Sequence, residues 1–295
     1  MNYREMFNKK GTNSLQKQYS RQLITKDNKK IYPSVILRDK LSVEIWKPDY
    51  KPHEFDIIPF PCGKNFPIDI QSGEKIHEEG EFVYTLDIII HRGIGPLKKQ
   101  FVCPQENFGL PCPVCEFMDS TRLEKDDWAR IHGVRTNFYL VWVKDSVETK
   151  KKGLQLFEIP YHFMENHLAT LMRNKRGGGV IDFSHPDTGK SIYFEKIKKG
   201  EKGTEFKGHE LLDRDVKLRD ELLNLAFPID DFIHMRPTYE EIEEAFKGQS
   251  LKMSSGTENA GKNFSGDDDL PDFMKPTNDD VPEQKPKTFK LKLKL

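Results

Sequence analysis

Four residues carry the ligand chemistry of a soft or borderline divalent metal. His91, Cys103, Cys112 and Cys115 are spaced H-x11-C-x8-C-x2-C. Cys112-Pro-Val-Cys115 forms a chelating knuckle, and His91 with Cys103 completes a tetrahedron. Three thiolates and one imidazole make a closed set with no position left for a substrate, so the expected cofactor is one structural Zn2+. Three of the chain's four cysteines fall within 13 residues. That density suits a metal in a reducing compartment better than a disulfide framework.

A second pattern overlaps the first. His77-Glu-Glu79, followed by Pro111-Cys112-Pro-Val-Cys115, formally satisfies the H-x-E and P-C-x-x-C signature of zinc deaminases. In those enzymes H-x-E opens a helix, but here Gly80 and a β-rich run follow Glu79. The deaminase reading also leaves His91 and Cys103 unemployed. Cys62 reads as a lone buried thiol. No Ser-His-Asp order, phosphate loop or paired carboxylates stands out, and the chain reads as a non-enzymatic protein.

The elements that must position the ligands are mostly short strands. Val35–Leu37, Leu41–Trp46 and Phe55–Phe60 are rich in β-branched and aromatic residues and punctuated by prolines. Phe82–Ile90 is the best strand of the first half and delivers His91 at its end. Pro113 suits a first helical turn, with Glu116–Leu123 continuing it. Thr136–Lys144 and Leu154–Ile159 read as neighbouring strands, joined by a charged turn at 145–153. A helical period covers Pro160–Arg173. Val180–Phe183 and Ser191–Ile197 read as a hairpin around His-Pro-Asp-Thr-Gly, and 210–226 as a helix. Thr238–Phe246 reads as a capped helix, with Glu241 closing a capping box and Gly248 beyond the end. The fold class is mainly β with helices (α+β): an OB-fold core with an inserted zinc-binding subdomain.

A formal net charge of zero hides marked asymmetry. Residues 1–30 carry net +6, residues 264–283 net −6, and residues 285–295 hold five lysines without an acid. Like-charge blocks at chain ends read as interaction tails. The expected organisation is a basic arm (1–30), an ordered core (31–249) with its zinc subdomain at about 85–135, and a disordered tail (250–295), acidic over 267–283 and basic over 285–295. No apolar run approaches the roughly 20 residues of a membrane helix and no secretory signal opens the chain. The expectation is a cytoplasmic protein without a membrane partner.

Cations and aromatics interleave through residues 122–207. The set includes Trp128, Arg130, Arg135, Phe138, Tyr139, Lys144, Phe157, Arg173, Lys175, Arg176, Tyr193, Lys198, Lys199 and Phe206. Proteins that hold single strands without reading sequence combine a cationic groove with rings on which bases stack. Alternation along 136–144 assigns Arg135, Asn137, Tyr139 and Val141 to a groove-like face, and Phe138, Leu140 and Trp142 to the core.

Several separated pieces, in order, resemble the single-stranded DNA-binding proteins of T-even bacteriophages. They are Met6-Phe-Asn-Lys9-Lys10-Gly-Thr12, the strand-ending His91 with Cys103 and Cys112-Pro-Val-Cys115, Leu140-Val-Trp-Val-Lys144-Asp145, Phe157-Glu-Ile-Pro160 followed by a helix, and Thr238–Phe246. The resemblance spans about residues 6–248. It implies cooperative binding to single-stranded DNA in replication, recombination and repair. It further implies self-association through Arg4, Lys9 and Lys10, and zinc at the four ligands. Trp128, Phe157 and Phe206 lie close to aromatics that the family sets against DNA, and the C-terminal tail would recruit replication and recombination proteins. Two features depart from the family. Thr136-Asn137 stand where it has an aromatic pair, and the acidic stretch is followed by Lys285–Leu295. A zinc-bearing transcription or assembly factor that binds protein is a further class, separable by salt-titrated binding to poly(dT).

Overall fold

The computed structural model describes residues 34–37, 40–173, 179–200 and 203–254, with side chains through 247. Expectations for the arm, for Arg4, Lys9 and Lys10, for Lys175 and Arg176, and for 255–295 lie outside these residues.

One strand organises the rest. β7 (Gly133–Val143) is buried at every position from Thr136 to Val143. Along one edge it pairs antiparallel with β8 (Leu154–Pro160). Along the other it pairs first with β5 (Leu86–Ile94) and then with β2 (Pro52–Ile58). The shared edge splits the sheet into two arms. β5 carries β6 (Lys99–Val102), while β2 carries β9 (Lys190–Lys199) and then β10 (Gly203–Asp213). β1 (Glu44–Trp46) adds parallel to β8, and the whole curls into a half-barrel. β3 (Phe60–Pro61) and β4 (Phe82–Val83) form a separate small pair.

Both faces of β7 are core. Phe138, Leu140 and Trp142 pack with Ile58, Leu86 and Leu156, whereas Tyr139, Val141 and Val143 pack with Phe55, Phe157 and Phe194. A strand covered on both sides reads as a continuous apolar run, and simple alternation misassigns one face. The groove-like face is therefore corrected at Asn137, Tyr139 and Val141, all 0% exposed.

The helices fill connections. They are α1 (Pro104–Phe108), α2 (Pro113–Ser120), α3 (Lys125–Ile131), α4 (Val147–Lys151), α5 (Glu165–Leu171), α6 (Asp220–Leu223) and α7 (Tyr239–Ser254). The charged 145–153 connection is thus a helix rather than a turn, because Ser146 and Thr149 form a capping box. The expected hairpin is also displaced. Val180 makes only an isolated bridge to Arg173, and β9 turns back on β10 instead. Of the helix expected over 210–226, β10 takes 210–213 through its pairing with β9, and only the single turn α6 (Asp220–Leu223) is helical. At α7 the capping box is present: Thr238 N donates to Glu241 Oε2 (2.8 Å) and Glu241 N to Thr238 Oγ1 (3.2 Å). The helix continues through Gly248 to Ser254, so neither its expected stop nor the expected start of the tail at 250 holds.

A histidine pair makes this fold acid-sensitive. His209 of β10 stacks on His167 of α5 at 4.1 Å, and its Nε2–H donates to the Phe163 carbonyl (2.9 Å). Burial, with His167 beside it, pushes His209 down to about 4 from an ordinary 6.5. Between those values the unfolded chain binds a proton that the native state refuses, so stability falls as pH drops below 6.5 and levels off near 4. Urea midpoints at pH 7.5 and pH 5 should differ less in His209→Asn than in the natural chain.

Candidate metal centre

The ligands come from three local structures brought to one point. His91 lies within β5 rather than at its end, because the strand runs on to Ile94 past a bulge. Cys103 and Cys112 are the N-cap residues of α1 and α2, and Cys115 sits in the first turn of α2. Proline at the first helical position of both helices fixes where each begins. The positive end of a helix favours a thiolate over a thiol. Cys103 Sγ also accepts the backbone N–H of Glu106 at 3.4 Å.

Four ligand atoms, one per residue, lie within 4.8 Å of one another, and all four residues are buried. His91 Nε2 is 3.5 Å from Cys112 Sγ and 3.4 Å from Cys115 Sγ, and Cys103 Sγ is 3.5 Å from Cys115 Sγ. A tetrahedron with metal–sulfur bonds of about 2.3 Å and metal–nitrogen bonds of about 2.0 Å has edges of roughly 3.5–3.8 Å. The spacing fits a tetrahedral ion, and it is far beyond the roughly 2.05 Å of a disulfide. All four cysteines are free.

Outer contacts orient the ligands. His91 Nδ1 is 2.8 Å from the carbonyl of Ile131, which can only accept, so the proton sits on Nδ1 and the Nε2 lone pair faces the sulfurs. Asn107 ties the ligand segments together. Its Nδ2 donates to the carbonyls of Ile89 (2.9 Å) and Cys103 (2.7 Å), and its Oδ1 accepts Ile89 N–H (3.0 Å). Burial opposes charge on His91, but Cys103 and Cys112 outweigh it and raise the imidazole to about 10. Cys103 and Cys115 hold Cys112 well below the usual thiol range, while Cys115 is driven up by the same contacts and by burial. Protons alone leave this buried set divided between charged and neutral forms. One divalent cation would satisfy all four groups together.

His77 is not among these groups. It pairs with Glu81 (3.1 Å) and meets Phe66 edge-on, so the H-x-E arrangement is not assembled at the cysteines.

The expected DNA-contacting residues divide sharply. Phe138, Tyr139, Phe157 and Phe206 are at most 5% exposed. Withdrawing an aromatic from a core costs about 3–5 kcal/mol, more than the roughly 1–3 kcal/mol gained from stacking on a base. All four are core residues, a correction of their place among the stacking rings, although for Phe138 the alternation along 136–144 already assigns the core. Lys144 is also turned inward, to Glu54 (2.6 Å) and Asp56 (3.5 Å), and donates to Ser191 Oγ (2.6 Å). Its neighbour Asp145 accepts Glu54 N–H (2.9 Å) and pairs with His53 Nδ1 (2.6 Å). Lys144-Asp145 therefore clamps β2 to the end of β7 and is not available for phosphate.

Arg135, Arg130, Arg173, Lys198 and Lys199 are exposed, while Trp128 and Tyr193 are half-buried. Arg135 pairs with Asp87 and lies 3.9 Å from the Tyr161 ring centroid. Trp128 stacks on His132 at 4.3 Å, and Arg130 reaches Asp127 at 3.5 Å. Tyr193 O–H donates to Glu195 (3.0 Å). Sequence reasoning missed Tyr50, whose ring lies 4.6 Å from Lys196 Nζ and 5.5 Å from Lys198 Nζ. Tyr50 lies outside the 122–207 window, two residues before β2. Asn107 was missed as well, although its position four residues after Cys103 could have marked it. No described helix is long and apolar enough to cross a membrane. No protein-family model matches this chain, and no curated protein matches it either.

Proposed function

We propose that the chain coats single-stranded DNA cooperatively and without reading its sequence, in phage DNA replication, recombination and repair. In this reading the half-barrel is an OB-type core and the metal is zinc, held for structure alone. Three thiolates with one imidazole suit zinc, and burial of all four ligands leaves it no substrate position.

The observation that carries the reading is the pairing of partly exposed rings with cations at the protein surface. Tyr50, 38% exposed, lies beside the exposed Lys198, and Tyr161 lies beside Arg135. Exposed Lys199 and Lys207 extend the charge along the β9–β10 hairpin. Such surfaces track a phosphate backbone with cations and accept any base on the ring. The arm through Arg4, Lys9 and Lys10 would contact the next protomer, and the tail would recruit replication and recombination proteins.

Salt-titrated binding to poly(dT) tests this. For single strands log K falls with log salt by about 0.7 per neutralised phosphate. Lys198→Ala should flatten the slope by about that amount. Tyr50→Ala should weaken binding by about 5- to 160-fold, the equivalent of one lost stacking contact. Absence of binding at low salt would overturn the reading.

A further inference from the structure

Among the described side chains, the apolar face of helix α7 docks on the metal subdomain. Ile242 is 0% exposed and belongs to the same buried cluster as Cys103, Cys112, Cys115, Ile94, Val114 and Ile131, with Ala245 and Phe246 packed against it. None of these three α7 residues joins either cluster on the sheet faces. The receiving surface is α2, which carries two ligands. Tyr239 O–H donates to Glu116 Oε2 at 2.8 Å, one residue after Cys115. Phe246 meets Phe117 edge-on at 5.0 Å, two residues after it.

A third contact comes from the β5–β6 turn. Gly95 has φ +71, and a Cβ there would fall 2.1 Å from the Ala245 carbonyl oxygen. Helix and turn approach so closely that only glycine fits, both for space and for its left-handed backbone.

The surface beneath α7 has little cohesion of its own. α1 has five residues and α2 eight, far below the 12–15 or so at which an isolated helix is even marginal in water. Three of the eight fully buried members of the cluster are cysteines. When metal affinity and local folding are linked in this way, the metal is what holds the platform together.

We propose that the metal centre is a latch for α7, so that metal occupancy sets whether residues 239–254 stay on the core. Two-way coupling follows. Metal loss frees the helix, and loosening the helix speeds metal loss, because the two share one platform. The inference stands apart from any role in DNA binding.

Hydrogen–deuterium exchange on the full chain tests it, with the metal bound, after extraction with a thiol-directed mercurial and chelator, and after return of zinc. Extraction should speed exchange of peptides within 239–254 at least 10-fold (an order-of-magnitude expectation for release of a docked helix), leave 136–143 of β7 unchanged, and reverse with zinc. Unchanged exchange in α7, or equal loosening of β7, would overturn the latch. The reciprocal arm measures metal transfer to a chromogenic chelator. Phe246→Ala, at the partly buried rim of the cluster, and Gly95→Ala should each release metal several-fold faster, with Tyr239→Phe affected less. Release at the natural rate in both of the first two variants would equally reject the coupling.

Discussion

Cys112→Ser should yield protein without stoichiometric metal, melting about 10 °C lower than the natural chain. The serine hydroxyl is not deprotonated at neutral pH, and a tetrahedral site that loses one thiolate binds a soft cation far more weakly. A metal that binds only the folded state at a free concentration 1,000 times its Kd stabilises it by about 4 kcal/mol. For a core of this size each kcal/mol shifts Tm by about 2–4 °C. Metal content by elemental mass spectrometry and a thermal melt on the same sample check both parts. Cys62→Ala is the matching control. Cys62 is 1% exposed and its thiol is pushed up to about 12, chiefly by burial with Asp230 and Glu81 adding to it. It is a small neutral core residue outside the metal cluster, and its loss should leave metal content unchanged.

Asp56→Ala should destabilise the fold by about 3–5 kcal/mol, because it strips the shared anion from two buried cations. Asp56 is 1% exposed. Its Oδ1 lies 3.5 Å from Lys144 Nζ and 3.4 Å from Arg214 Nε, and accepts from Ser191 Oγ at 2.7 Å. Arg214 spends its other donors on the carbonyls of His185 (2.8 Å) and Phe183 (3.1 Å). Burial already pulls Arg214 below the usual guanidinium range, with Asp56 opposing that shift. Without the carboxylate, both cations sit in a low-dielectric interior with neutral partners, the half-exposed Glu54 beside Lys144 and the weaker field of Asp182 at Arg214. Urea unfolding of Asp56→Ala and of the double variant Asp56→Ala/Lys144→Met checks the cause. Removing one of the stranded cations should recover part of the loss, a non-additivity expected only of groups in contact.

The candidate metal ligands were legible in the sequence because their chemistry is local. Cysteine spacing and proline at the first helical positions are properties of neighbouring residues, and so is the Thr238–Glu241 capping box. The strand cores of β2, β5, β7 and β8 were legible for the same reason. What could not be read was which face of a strand another element covers. The groove assigned to Tyr139 and Val141 is filled by Phe55, Phe157 and Phe194, residues about 16–85 positions away along the chain. Lys144 read as a phosphate ligand because nothing near it in sequence reveals Asp56. The docking of α7 on α2 is equally non-local, and it places Ile242 in the buried cluster that holds the cysteines.

Val35–Leu37 and Phe232–His234 close the described core on itself. Leu37 N–H donates to the Phe232 carbonyl (2.8 Å), His234 N–H to that of Val35 (2.8 Å), and Ile36 bridges Ile233 antiparallel. The strand-like segments therefore enter and leave at the same end of this short ladder. Tension applied between the two ends would load its hydrogen bonds one after another, as a zipper, and not all together in shear. A subunit pulled through these segments, once α7 is drawn off α2, would yield here at low force and lengthen while the β7-centred sheet stayed intact.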